Sequence, residues 1–481
     1  MLGLVTVLLL PDVYADIGGE QVMLAQAARA AAGVGVWMAA WWLTEAISIY
    51  ATALLPLALL PLTGARTVLE AASPYGHPLI FLFMGGFLLA LTMQRWGFDR
   101  RVALSTLRFV GARPRYIVAG FMAVTAGLSM WVSNTATAVM MLPIAVSVIH
   151  VAEAGHDPGD RAIPGFSVCL LLGIAYAASI GGVGTLIGTP PNLFLASYVQ
   201  SHLGQEISFV RWMAVGIPFV ALFLPVTWWL LTHVLHPVGE QPLAGVEERV
   251  AEVHAALGRF TRGERITAAV FLVTAVAWLL RPVLVTLEVG GIRPLAGLSD
   301  TGIAIAAALV LFATPVDWRR GVYALDWPTA VKLPWGILVL FGGGLSLAGA
   351  IEHTGLGAFL GTQVGGLAGV PPLVLTAVVA ALVIFLTELT SNTATTATFL
   401  PILAGLAPAL GVEVLVLIVP AAIAASCAFM LPVATPPNAV VFGSERITLP
   451  QMARAGVWLN IIGIALITLV TYAVVVPVLL G

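Results

Sequence analysis

Between residues 117 and 149 the chain runs 33 positions without one Asp, Glu, Lys, Arg or His. Similar apolar runs recur along its length, many near the ~20 residues that carry a helix across a bilayer. A soluble domain of 481 residues needs a charged shell. Here 60% of residues are apolar and only 9% are charged, against about 25% in an average soluble chain. Lys+Arg is 21 and Asp+Glu is 23, a net charge of −2, which excludes a nucleic-acid binder and a disordered chain. An outer-membrane barrel is excluded too, because its strands read as weak alternating segments of ~10 residues. The 49 Gly and 30 Pro fit membrane helices, where both are enriched. The chain reads as an all-α polytopic protein of the cell (inner or plasma) membrane, with lipid as its solvent.

About eleven spans are expected, at roughly 1–11, 31–47, 49–63, 79–97, 168–199, 212–235, 266–287, 301–315, 334–352, 416–443 and 455–480. The opening MLGLVTVLLLPDVYAD lacks the basic n-region of a signal peptide and reads as a short first span. Stretches 117–149 and 371–412 are too long for one span and too short for two, and each has a polar Ser-Asn-Thr group near its middle. A re-entrant hairpin buried in protein satisfies both facts. With a cytoplasmic N-terminus, the inside segments collect 16 basic residues (Arg95, Arg100, Arg101, Arg108, Arg113, Arg115, Arg161, Arg249, Arg259, Arg262, Arg265, Arg319, Arg320, Lys332, Arg446, Arg454). The outside segments collect five (Arg29, Arg66, Arg211, Arg281, Arg293). The positive-inside rule therefore favours N-in, C-out. Segment 236–265 mixes charges at helical spacing and reads as an interfacial cytoplasmic helix.

The chain contains a duplication. Ser133-Asn134-Thr135-Ala136-Thr137 followed by Leu142-Pro143-Ile144 matches Ser391-Asn392-Thr393-Ala394-Thr395 followed by Leu400-Pro401-Ile402. Upstream, LFMGGFLLA at 82–90 matches LFGGGLSLA at 340–348; Gly85 precedes Ser133 by 48 positions, as Gly343 precedes Ser391. Downstream, Gly188-Thr189-Pro190-Pro191-Asn192 matches Ala434-Thr435-Pro436-Pro437-Asn438. Five spans separate the starts of the copies and hairpins add no crossing, so the repeats are inverted. Inverted repeats with interrupted helices mark secondary transporters, whose site lies at the repeat interface. The expected divisions are 1–78 (scaffold spans), 79–211 (repeat 1), 212–333 (scaffold spans and interfacial helix) and 334–481 (repeat 2 and the last span).

Two prolines inside an apolar run break a helix, so 168–199 and 416–443 each read as two half-helices around a loop. Half-helix N-termini suit an anion, and C-terminal carbonyls suit a hard cation such as Na⁺. An Asn amide can serve either. A plain role as turn residues or interhelical glue competes for a single copy; two matched copies beside two matched breaks favour a site. Glu45 and Glu388 lie in apolar surroundings, open to ion pairing, proton relay or local capping. Cys169 and Cys427 read as buried free thiols. The eight His form no ligand cluster, and no P-loop, GxSxG or HExxH motif occurs in a credible context.

Paired SNT motifs, each followed by a TPPN-type break, resemble the divalent anion/sodium symporter family, which includes sodium-coupled dicarboxylate and citrate carriers. The opening WWLTEAIS is similar to that family's WWxTEAIP, with Ser48 where Pro is usual. The resemblance runs from about residue 30 to the C-terminus. It implies a homodimer of protomers with a scaffold domain and an elevator-type transport domain, the latter holding both hairpins and both broken helices. Carried over by motif, one Na⁺ site would use Ser129, Ser133, Asn134 and Gly188, and the other Thr387, Thr390, Asn392 and Ala434. Substrate carboxylates would meet Asn134 and Thr135, and Asn392 and Thr393, with Pro190 and Pro436 lining the pocket. None of these residues is cationic, so bound Na⁺ would supply the anion's neutralising charge.

The implied function is Na⁺-coupled symport of di- or tricarboxylates of the succinate, malate, fumarate and citrate class. Within the family, dicarboxylate exchange and carriage of sulfate or another divalent anion are alternatives. An intramembrane enzyme is disfavoured for want of a nucleophile–base or metal constellation, and a channel by the two sealed hairpins. Sulfate-type relatives often carry an inserted soluble domain, and none is present here.

Overall fold

Proline sets where the helices of both repeats begin. In the computed structural model, α1 (Pro78–Trp96), α2 (Pro114–Ser129) and α3 (Asn134–Ala154) are followed by α4 (Ala162–Gly182) and α5 (Pro190–Leu203). The second repeat gives α6 (Trp335–His353), α7 (Pro372–Thr387), α8 (Asn392–Leu410), α9 (Val414–Ala425) and α10 (Pro436–Phe442). Five of the ten start on a proline, where the missing N–H costs no intrahelical bond and φ is already helical. The structure describes residues 2–16, 20–154, 162–289, 291–363, 366 and 369–481. Met1 of the first expected span and Arg161 of the charge count lie outside the described residues.

The matched blocks become matched elements. Helices α1 and α6 each have 19 residues, and α2 and α7 each have 16. Helix–turn–helix pairs stand where re-entrant hairpins are expected, α2–α3 (hairpin 1) and α7–α8 (hairpin 2), turning at 130–133 and 388–391. Their second arms, of 21 and 19 residues, are longer than half-spans and are themselves apolar enough and long enough to cross a membrane. The first hairpin outruns its charge-free stretch, with His150 and Glu153 inside the last turns of α3, whereas both arms of the second stay within 371–412. The expected breaks fall at 183–189 and 426–435.

The repeats exchange their short half-helices. Helix α5 of the first packs on α8 and α9 of the second, while α10 of the second packs on α3 and α4 of the first. Every residue from 166 to 189 is buried, as is every residue from 415 to 429. That explains why both segments read as apolar all round and not as amphipathic stripes. Cys169 and Cys427 are buried free thiols there. Around this core, α1 packs on Asp300–Ala313, and α6 on Gln26–Thr44 and the Ser73–Gly76 turn. The Arg262–Leu284 helix turns Leu272, Val273 and Val283 outward, as a lipid-facing helix does.

Some spans are shorter than the sequence implies. The first is an eight-residue helix, Leu2–Leu9, about 12 Å long against a hydrocarbon core of ~30 Å. The third divides into Ile49–Thr52 and Leu55–Leu62, and Asp300–Ala313 has 14 residues. Among the described residues, eight helices are long and apolar enough to cross. Two short antiparallel ribbons, Val13–Ala15 with Gln21–Met23 and Pro315–Asp317 with Val322–Tyr323, have no precursor in the sequence reading. The segment after Leu235 contains the expected mixed-charge helix, Val246–Ala255.

The Phe98–Leu107 helix links α1 to hairpin 1 and is fixed by a buried ion pair. Arg101 Nε donates to Glu264 Oε1 at 2.6 Å, and its other nitrogens donate to the carbonyls of Gly258 at 3.0 Å and Leu257 at 3.1 Å. Both side chains are under 7% exposed. Arg101→Ala strands the Glu264 carboxylate without its cation, and breaking such a pair costs on the order of 3–5 kcal/mol. We expect a clearly lower thermal unfolding midpoint in detergent; an unchanged midpoint would mean that water replaces the guanidinium.

Candidate functional site

Each TPPN motif builds its break in the same way. The residue before a proline is pushed to extended backbone, and Thr189 (φ −144°, ψ 143°) and Thr435 (φ −140°, ψ 148°) are extended N-caps. The prolines then occupy the first two helical positions. The asparagine closes the motif by reaching back over the loop. Asn192 Nδ2 lies 3.1 Å from Gly182 O and 2.7 Å from Thr185 O, ten and seven positions upstream. Asn438 Nδ2 lies 3.2 Å from Ala428 O and 3.0 Å from Leu431 O, at the same two spacings. Both asparagines are fully buried. Their clamping role follows from the motif's spacing, yet only the folded loop discloses it.

The hairpin tips meet these loops. Ser129 Oγ lies 2.5 Å from Asn134 Oδ1 and 2.6 Å from Ala178 O. The carboxamide atom facing this group is also 3.1 Å from Ala178 O and 3.3 Å from Gly188 O. With nitrogen turned inward, Asn134 donates to its neighbours. With Oδ1 inward, hydroxyl, carboxamide and two backbone oxygens converge, the donor set that a hard cation takes. Close approach depends on two glycines: a Cβ on Gly182 would sit 2.5 Å from the Asn134 carboxamide, and one on Gly188 would sit 2.4 Å from Gly182 O. In the second repeat Thr387 Oγ1 donates to Asn392 Oδ1 at 2.7 Å and lies 3.1 Å from Ala425 O. The ligand type therefore repeats: a hydroxyl, an Asn five positions on, and a carbonyl near the end of the broken helix. The carbonyls of Ala178 and Ala425 were not foreseen, because a backbone oxygen has no residue-type signature.

The two tips and two breaks face one cavity of about 800 Å³. Ser133, Asn134, Thr135, Gly188, Pro190, Thr390, Asn392, Thr393, Ala434 and Pro436 all line it. Ser129 and Thr387 are fully buried behind the asparagines that they touch. Some hydroxyls already have local partners: Ser133 Oγ accepts from Ala136 N at 3.3 Å, and Thr390 Oγ1 donates to Leu386 O at 3.0 Å and pairs with Thr395 Oγ1 at 2.7 Å. Thr135 is exposed, whereas Thr393 is buried. The remaining wall includes Glu45, Tyr50, Gln94 and Lys332, the last being the chain's one lysine. Glu45 ends the Gln26–Thr44 helix in a left-handed conformation (φ 47°).

Prolines at the first two positions strip amide donors from α5 and α10, so those ends are poorer anion sites than the sequence implies. The second hairpin arms compensate. Helices α3 and α8 begin at Asn134 and Asn392 on the cavity wall, and their first-turn amides have no intrahelical acceptor. Both positive helix ends therefore open on the space between the asparagines. Among the described residues no group of three His, Cys, Asp or Glu could hold a metal ion; around the two tips and breaks the cavity wall is neutral oxygens, amides and helix ends, with Glu45 and Lys332 as its charged members.

Comparison with known proteins matches this arrangement to a family. The family model for the sodium:sulfate symporter transmembrane region matches residues 6–479. The sodium-dependent dicarboxylate transporter SdcS of Staphylococcus saprophyticus is 43% identical over 454 residues, covering 93% of this chain and 86% of that protein. SdcS of Staphylococcus aureus strain MW2 is 44% identical over 451 residues, with the same shares covered. Among solved structures, the Alcanivorax borkumensis YdaH transporter superposes with a TM-score of 0.61 at 14% identity, over 97% of this chain and 94% of that one. Neisseria gonorrhoeae MtrF gives 0.59 at 14%, over 93% and 95%. At that identity the likeness concerns the fold alone. The matched length, the twin hairpins and the twin breaks lead to one conclusion: the chain belongs to the sodium:sulfate symporter transmembrane-region family.

Proposed function

We propose that the protein is a secondary active carrier that couples Na⁺ to symport of a di- or tricarboxylate of the succinate, malate, fumarate and citrate class. The observation that carries this reading is the pair of matched oxygen clusters, Ser129–Asn134–Ala178–Gly188 and Thr387–Asn392–Ala425, flanking one cavity. The printed names of the SdcS relatives support sodium and a dicarboxylate as its cargo. Ser129, Ser133, Asn134 and Gly188 hold one Na⁺; Thr387, Thr390, Asn392 and Ala434 hold the other. The anion's carboxylates lie against Asn134 with Thr135 and Asn392 with Thr393, between Pro190 and Pro436. Each asparagine serves a cation and the anion together, so neither cargo binds well alone.

The two hairpins and two broken helices of 79–211 and 334–481 form the mobile transport domain, and 1–78 with 212–333 supply scaffold spans, working as a homodimer by an elevator movement. The cell membrane is the site of action, with the N-terminus in the cytoplasm and the C-terminus outside. This orientation rests on the 16-to-5 distribution of basic residues.

In proteoliposomes, labelled succinate should accumulate with an inward Na⁺ gradient and not with K⁺, while sulfate should compete poorly. Asn134→Ala and Asn392→Ala should each lower uptake strongly. Loss of one hydrogen bond to a charged group costs roughly 1.5–3 kcal/mol, about 10- to 150-fold in affinity. Thr135→Ala and Thr393→Ala should raise the apparent KM for substrate more than they alter Na⁺ dependence. Normal transport by both Asn variants would reduce the tips to structural turns.

The orientation predicts that an Arg108→Cys variant resists an impermeant thiol reagent in intact cells and reacts in inverted vesicles. Labelling from outside would reverse the topology. Native mass measurement in detergent should find the dimer; monomer alone across a concentration series would count against it.

A further inference from the structure

The two breaks are pinned by different chemistry. Residues 183–185 and 429–431 stand at the same distance before the asparagine of their TPPN motif. In the first repeat Val183 N donates to Ile180 O at 3.2 Å and Gly184 N to Gly181 O at 2.9 Å, and the Thr185 hydroxyl donates to the Met130 carbonyl at the hairpin 1 tip, so this loop is held by its own backbone and by a neutral contact. In the second repeat the helix stops at Ala425, and the corresponding amides turn to hairpin 2. Phe429 N donates to Glu388 Oε1 at 2.7 Å, Met430 N to both carboxylate oxygens at 3.0 Å, and Leu431 N to Oε2 at 3.2 Å. Asn460 Nδ2, from the Leu449–Val470 helix, completes the shell at 2.8 Å. Glu388 is 3% exposed. The residue in the same place on hairpin 1, three before the SNT serine, is Met130.

We propose that Glu388 is the positioning residue of the second cation site: its carboxylate ties the hairpin 2 tip to the second break and lends that site a fixed negative charge that the first site lacks. The inference rests on the functional reading above. Glu388 directly follows Thr387, whose hydroxyl faces Asn392 Oδ1 and Ala425 O. The loop that it grips leads from Ala425 to Ala434, so one side chain fixes the spacing of the oxygens on both sides. A carboxylate held by four N–H groups is compensated where it sits, and its field still reaches a cation nearby because the interior screens charge weakly. Without the tether, the ten residues 426–435 have only as many local backbone bonds as the seven of 183–189, three in each loop, to hold a longer run of carbonyls in place. The duplicated sites are therefore unequal, and the second depends on a charge–amide contact that no residue of the first repeat reproduces.

The test is the Na⁺-activation curve of succinate uptake by the full-length protein in proteoliposomes. Glu388→Gln keeps the side chain's size and one carbonyl oxygen but loses the charge. It should raise the half-saturating Na⁺ about tenfold, the scale of one lost charge-assisted hydrogen bond, while the substrate KM at saturating Na⁺ stays near the wild-type value. Glu388→Asp should recover part of the shift, and Asn460→Ala should move the curve the same way by less. A lowered maximal rate with an unmoved Na⁺ curve in Glu388→Gln makes the residue a structural clamp and overturns the inference. Should Glu388→Gln fail to fold, the Asn460→Ala curve decides by the same criterion. Asn392→Ala separates the two levels. If it shifts the curve and Glu388→Gln does not, only this inference falls; if it leaves the curve unmoved, the site reading falls and takes the inference with it.

Discussion

The carboxamides of Asn192 and Asn438 reach back across the helix breaks and take up carbonyls ten and seven positions upstream. In hydrocarbon each unpaired carbonyl or amide costs several kcal/mol, so a broken helix at this depth survives only if its ends are bonded within the protein. The rest of the architecture follows from that requirement. The break has to be buried, which surrounds α4 and α9 with protein on every side. The buried breaks then need neighbours that approach closely, and the hairpin tips and exchanged half-helices fill that place. Gly182 and Gly188 make the approach possible in the first repeat. Ala434 stands where Gly188 does, in a longer loop that has room for a methyl group.

On the proposed function the cavity takes a dianion, which poses an electrostatic problem, because its wall has no Arg or Lys apart from Lys332. Fixed cations would bind the anion without any need for Na⁺, and coupling would be lost. Neutral carboxamides, hydroxyls and helix N-termini give partial positive charge and directional donors, and they leave the balance to ions carried with the substrate. Proline serves this arrangement indirectly. By occupying the first positions of α5 and α10, it leaves the first turns of α3 and α8 as the better-equipped positive ends.

The duplication, both hairpins and both breaks were legible in the sequence, since SNT and TPPN owe their form to local backbone chemistry that any copy must repeat. The residues of the two tips were legible for the same reason, and the structure brings them to one cavity. What could not be read was carried by atoms common to every residue or by packing. The carbonyls of Ala178 and Ala425 have no side-chain signature. The length of α3 depends on how far helix continues past the charge-free stretch into His150 and Glu153. The short first helix stops two residues before Pro11, and the second piece of 49–63 starts afresh with Pro56 in its first turn, local breaks that hydropathy averages away. Intramembrane Glu388 was visible as an anomaly, but its partners lie 41 to 72 positions downstream.

Exchange of the half-helices turns two sites into one device. Helix α5 begins at the first break yet packs on α8 and α9, and α10 begins at the second break yet packs on α3 and α4. A displacement at either break is thus delivered to the hairpin of the other repeat through a rigid helix. Closely packed interiors transmit such shifts because they have few voids to absorb them. Two independent half-sites would load independently; interlocked ones share the work of ordering, which is the physical meaning of coupling between cargoes. Symmetry alone would make the halves interchangeable. The Glu388 tether, set against the neutral Thr185–Met130 contact of the first repeat, breaks that symmetry where hairpin and break loop meet.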